Sequence, residues 1–304
     1  MNTSRSPLQL IILLLCLVGV SAGLFYWTQS LHASVDQEAS ARTAPSALHD
    51  AAAAGNAEAI ATALKNGAAI EGRIDRPGQK QGMTALMVAA QAGKPVIVNA
   101  LIKAGAKSDA ATRDGWTPLF FAAISGDSHT VAALVDAGAT VNARSTEGFT
   151  PLMLAAAKGS PDALQVLLSK GADTSFRNKW GESALLIAAR DKNMDKVKAI
   201  LVTSPDVNAT DREGKTPLAA ACAEGAPAEL LQALFDAKAD VNKGDESGVT
   251  ALMRAADRGD ADTVKLLLAA GAKKDLKDTN AQTAADWATN RGDEPGKACA
   301  ELLK

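Results

Sequence analysis

One phrase recurs through most of this 304-residue chain, and it constrains the fold more than any other feature. It reads "GMTALMVAAQAG" from Gly82, "GWTPLFFAAISG" from Gly115, "GFTPLMLAAAKG" from Gly148, "GESALLIAARDK" from Gly181, "GKTPLAAACAEG" from Gly214 and "GVTALMRAADRG" from Gly248. The starts are 33, 33, 33, 33 and 34 residues apart. Ala281 continues the frame 33 residues on with "AQTAADWATNRG", and Ser46 begins an earlier version without the glycine, "SALHDAAAAG", which makes eight units. A fixed period of this length is the mark of a stacked repeat, in which each unit meets only its neighbours.

Within a unit, the Thr before "PL" is placed to cap a helix with its hydroxyl, and Pro suits the first helical turn, where its missing N–H would be unpaired anyway. Leu and the paired alanines then share one face. A glycine such as Gly93, Gly126 or Gly159 closes that helix. A second amphipathic run, "TVAALVDAG" or "ALQVLLSKG", ends at a glycine suited to a left-handed C-cap. The polar stretch before the next opening glycine, for example "TVNARSTEG", reads as a turn projecting sideways as a finger.

This pattern resembles the ankyrin repeat, whose T-P-L-H-x-A-A phrase and following G-A-D-x-N appear here with "GATVN", "GADTS" and "KADVN". The resemblance covers residues 45–304. It implies an all-α solenoid of about eight helix-turn-helix units with hairpin fingers, used for protein binding and generally without catalysis.

"ATDREGKTPL", residues 209–218, also fits a permissive phosphate-binding loop. Such a loop needs a buried strand before it, and the preceding "SPDVNATDRE" is turn-like. Gly214, Lys215 and Thr216 are the sixth unit's copy of a phrase that reads "GWT" and "GFT" elsewhere. Thr216 is expected to be a cap, and neither a nucleotide nor any other cofactor is expected.

The N-terminus is a different kind of segment. Residues 1–7 carry Arg5, and Leu8–Trp27 is an uncharged stretch of 20 residues, the length of a helix that crosses a bilayer. Two readings stand. In one it is an uncleaved transmembrane anchor closed by the interfacial rings Phe25, Tyr26 and Trp27. In the other it is a signal peptide cut after Ala22, where Val20, Ser21 and Ala22 supply small residues. Lipoprotein processing at Cys16 is disfavoured by Leu14 and Leu15. Arg5 before the segment and Asp36 and Glu38 after it place the chain beyond residue 27 outside the cytoplasm. Residues 28–44, polar and rich in Ala and Ser, read as a tether to the repeat domain at 45–304.

With 32 basic and 34 acidic residues the net charge is −2, which leaves no bulk field for nucleic acid. The three cysteines, Cys16, Cys222 and Cys299, are not spaced as a metal clamp or redox pair. His32, His49 and His129 stand apart from one another, and no nucleophile, base or metal set is assembled. Cys222 replaces the second alanine of its pair and is expected to pack there.

The positions at which the units differ carry the functional signal. The residue after the opening glycine is aromatic in two adjacent units, Trp116 and Phe149, and Trp180 precedes Gly181 at the next fingertip. Only 4% of the chain is aromatic, so three rings on successive fingers form a candidate protein-binding patch. The alternative is that each ring folds back and pads the gap between fingers. The resemblance assigns Arg113, Asp114, Glu147, Lys158, Lys179, Glu182, Arg190 and Asp191 to the same face, as a polar rim or a solvated surface. Phe121 reads as core, with Phe120 undecided.

Departures from the frame also inform. Lys192 and Lys238 stand where other units carry glycine, "SPD" at 204–206 replaces Gly-Ala-Asp, and unit six has an extra residue near "GAPAELL". The junction of units five and six is therefore expected to be the soft point. Between units one and two the frame lengthens to 38 with "RIDRPGQKQ", an extended basic finger. The sequence as a whole reads as a membrane-tethered ankyrin-type scaffold of bacterial periplasmic type with an unidentified protein partner. The alternative is an inhibitor or immunity-type protein that plugs a toxin or hydrolase.

Overall fold

The computed structural model describes residues 47–75 and 82–304. The expected membrane segment at 8–27, the tether at 28–44 and most of the first-finger insert lie outside them. Among the described residues no helix is long and apolar enough to cross a membrane.

The described chain forms eight helix pairs, and its only extended pairing is one antiparallel bridge between Ile74 and Met83. The helix over 47–54 pairs with Ala57–Lys65. The later pairs begin with Ala85–Gln91, Pro118–Ser125, Pro151–Ala157, Ala184–Arg190, Pro217–Glu224, Ala251–Arg258 and Ala284–Arg291. First helices stack on first helices from unit to unit, and second helices form the other layer.

The repeated phrase explains the stack. Leu86, Leu119, Leu152, Leu185, Leu218 and Leu252 are all at most 1% exposed, and each buried leucine contributes about 2 kcal/mol. The alanine pairs beside them are fully enclosed, and their small side chains let neighbouring helices close in. The second helices bury an i, i+3 pair, such as Val131 with Leu134 or Val197 with Ile200. Cys222 packs as expected, and burial pushes its thiol up to about 12. Phe120 and Phe121 are both core.

The caps match the sequence expectation with one exception. The hydroxyls of Thr84, Thr150, Ser183, Thr216, Thr250 and Thr283 each accept the amide three residues on. Thr117 makes no such bond, and its buried Oγ1 has no partner.

Lys192, Ser204, Lys238 and Ala281 hold left-handed backbone, with φ of 58, 52, 68 and 59°. Unit six also departs at its second helix, Ala228–Asp236. Pro227 at its N-cap offers no side-chain bond, and the helix approaches its own first helix and its neighbours less closely than the second helices of units two to five do. A buried lysine, Lys196, ties unit five to unit four by donating from Nζ to the carbonyl of Ala156 at 2.9 Å.

Candidate functional site

The fingers are hairpins locked by one side chain each. Asn178 Oδ1 accepts the amides of Trp180 and Glu182 at 2.9 and 3.0 Å, and Asp211 Oδ1 accepts those of Glu213 and Lys215 at 2.9 Å. Successive fingers are then zipped by backbone bonds: Lys179 N–H to Glu147 O at 2.8 Å, Arg212 N–H to Trp180 O at 2.8 Å, and Glu246 N–H to Glu213 O at 2.9 Å. This close approach requires glycine at 181, where a Cβ would lie 2.8 Å from the Arg212 amide nitrogen. The same approach brings Arg212 beside Trp180.

In the angle between the fingers and first helices of units four to seven lies an open hollow of about 490 Å³. Its apolar lining is Phe149, Trp180, Leu186, Ala219, Ala220 and Ala223. Phe149 is half-buried against the core, while Trp180 remains 43% exposed. Their ring centroids are 5.5 Å apart with planes inclined at 55°, an arrangement aromatic pairs favour. Lys179 Nζ stands 4.4 Å from the Trp180 ring centroid and also contacts Glu147 across the fingers.

Around the hollow the charges are mostly paired. Glu182 accepts from Asn178 Nδ2 at 2.7 Å through one oxygen and meets Arg190 through the other. Lys215 pairs with Glu213 at 2.5 Å, and that hydrogen bond holds the Glu213 carboxyl below its ordinary range. Arg254 reaches Asp245 at 3.0 Å and lies 5.9 Å from the Trp287 ring centroid. Among the described residues no cluster of His, Cys, Asp or Glu is arranged to hold a metal.

Of the residues singled out from sequence, Phe149, Trp180, Glu182 and Arg190 line one hollow. Lys179 sits on the adjoining finger surface. Trp116 is half-buried with its indole stacked on Phe120 at 5.7 Å and against Phe121 at 5.5 Å. Arg113 is exposed on the preceding finger, and Lys158 is exposed at the end of the helix Pro151–Ala157. Asp191 turns to the buried Lys196 at 3.3 Å. Arg212 on its finger and Arg254 on the helix Ala251–Arg258 do not stand out in the sequence, because which residues of neighbouring units face one hollow depends on the stagger between units.

Thr216 caps its helix and Asp211 binds its own finger, so the "GKT" triplet is occupied by the same contacts as in other units.

A sequence profile described as "Ankyrin repeats (3 copies)" matches residues 17–112, 95–178, 152–245 and 221–304. Over 76 residues the chain is 43% identical to the E3 ubiquitin-protein ligase hecd-1 of Caenorhabditis elegans. That stretch is 25% of this chain and only 3% of that ligase. The crystal structure of the human ASB11 ankyrin repeat domain superposes with a TM-score of 0.67 at 24% identity, covering 73% of this chain and 98% of that one. This last likeness is one of fold. The repeated phrase, the stacked helix pairs and the profile that runs across them agree: this chain belongs to the ankyrin-repeat family.

Proposed function

We propose that this chain is a non-enzymatic protein-binding module whose partner docks in the hollow over Phe149 and Trp180, and that it is tethered to the bacterial inner membrane with its repeats in the periplasm. One observation carries the docking site. A tryptophan 43% exposed lies against a second ring at the mouth of a hollow with an apolar lining, in a family whose fold typically serves as an interaction scaffold. Rings of this kind dominate interface energetics because they bury large area at little entropic cost. The tether rests on the sequence: the uncharged 20-residue stretch Leu8–Trp27, preceded by Arg5 and followed by Asp36 and Glu38.

The test is photo-crosslinking of the full chain in its native host, with the probe at position 180 and a control at Lys265, which is exposed on the second helix of unit seven. A discrete adduct at 180 that is absent at 265 supports the site. Identical adducts at both positions, or none at 180, contradict it. One stoichiometric partner that is toxic alone would favour the inhibitor reading, and several weak partners the scaffold. Protease added outside the cytoplasmic membrane should degrade the repeats; protection until lysis would refute the tether orientation.

A further inference from the structure

Resting on that docking site, we infer that the captured segment is acidic and crosses the fingers of units four to six before its apolar side chain reaches Trp180. Beside the hollow, a groove of about 470 Å³ runs over these fingers. Its charged lining is Arg144, Lys179, Arg212 and a single carboxylate, Glu147. Glu147 is already taken by Lys179.

Among the described residues the two arginines have no carboxylate partner. Arg144 donates from Nη2 to the backbone oxygen of Arg177 at 3.2 Å, and its guanidinium lies 5.4 Å from the Phe176 ring centroid. Among the described residues the Arg212 guanidinium has no hydrogen-bond or ion-pair partner; only its amide is engaged, with Trp180. Apart from Arg212, which borders both spaces, the cations of the hollow are compensated: Arg190 by Glu182, Lys215 by Glu213 and Arg254 by Asp245. Uncompensated positive charge is thus concentrated in the finger groove, although the chain as a whole is slightly acidic.

Arg212 lines both the groove and the hollow, so the two are continuous at that residue. An Asp or Glu entering the groove meets two planar guanidinium forks without displacing an existing carboxylate partner. A Lys or Arg entering there meets three cations and one carboxylate, Glu147, which Lys179 already holds. Exposed ion pairs contribute little affinity, so the arginines select and steer the segment while the hollow holds it.

The full chain should be immobilised and challenged with a displayed random-peptide library. Enriched peptides are expected to carry paired Asp or Glu residues beside one apolar side chain. Arg144→Glu with Arg212→Glu should weaken them about tenfold, whereas Lys265→Glu should leave them unchanged. Arg144→Gln with Arg212→Gln, a milder change, should move in the same direction. Peptides lost on Trp180→Ala but neutral or basic, or indifferent to the charge reversals, would overturn the acidic inference and leave the docking site standing. No peptide dependent on Trp180 would sink both. Charge-sensitive binding to phosphatidylglycerol vesicles in place of acidic peptides would assign the arginines to a membrane surface and overturn the inference.

Discussion

A Cβ on Gly214 would lie 2.6 Å from the amide nitrogen of Glu246 in the next finger. The approach of the next finger accounts for glycine at 214, as at 181, while a φ of 76–80° is what the opening glycines of units two to seven share. Gly214→Ala should therefore destabilise the chain by about 2 kcal/mol or more. Among the described residues no finger stacks on that of unit eight, where Ala281 occupies the same frame at φ 59°.

The glycines that end the second helices behave differently. Nothing lies within 4 Å of a Cβ built on Gly138 or Gly171. Their frame needs only the left-handed φ, so Ser204 and Lys238 are tolerated in units five and six at a cost of about 1 kcal/mol each. Lys238→Gly should recover up to about 1 kcal/mol in denaturant unfolding. Hydrogen exchange should be fastest within residues 192–238, and uniform protection across all units would contradict this.

Thr117 and Thr150 occupy the same frame with opposite consequences. Thr150 accepts the Met153 amide at 3.3 Å, while the buried Thr117 hydroxyl has no partner. Thr150→Val should cost about 1 kcal/mol. Thr117→Val should be neutral or stabilising, within about 0.5 kcal/mol, because it removes a buried unpaired hydroxyl. Equal losses for both would refute the difference in capping.

The C-terminal unit should be the acid-sensitive one. Asp286 is held below the ordinary 3.8 by the Thr283 amide and then its hydroxyl, and Asp293 is held below it by Arg291 and then the Gly296 amide. Burial opposes the shift at Asp278, but the amides of Gln282 and Asn280 and the Trp287 indole outweigh it. Carboxylates with depressed folded values contribute stability above 3.8 that is lost as pH falls through the folded values. Hydrogen-exchange protection over residues 284–303 should collapse before that of units three and four on acidification.

Cys222, with its thiol pushed up to about 12 by burial, should resist alkylation in the native chain at neutral pH. Modification should track unfolding. Rapid labelling of Cys222 under native conditions would show that unit six opens far more readily than its packing implies.

Much of this architecture was legible in the sequence because stacking repeats one solution: the caps, the Leu and Ala faces and the non-glycine residues at Lys192 and Lys238 can all be read by comparing frames. The site was legible only in part. Phe149 and Trp180 stood out by residue type, but their meeting depends on the stagger between adjacent fingers, which no single unit encodes. The same stagger places Arg212 against Trp180. Trp116 has the same residue type as Trp180, yet it stacks on Phe120 and Phe121, and unit three alone has a Phe pair at that frame.

If the exposed Trp180 anchors a partner while Trp116 serves packing, calorimetric titration of the crosslinked partner against a variant at each position separates the two roles. Trp180→Ala should lower affinity by at least about 2 kcal/mol, roughly thirtyfold, with little loss of fold stability. Trp116→Ala should lower stability and leave affinity within about threefold. Undiminished affinity in Trp180→Ala, or equal loss in both variants, would show that Trp180 is not the anchor.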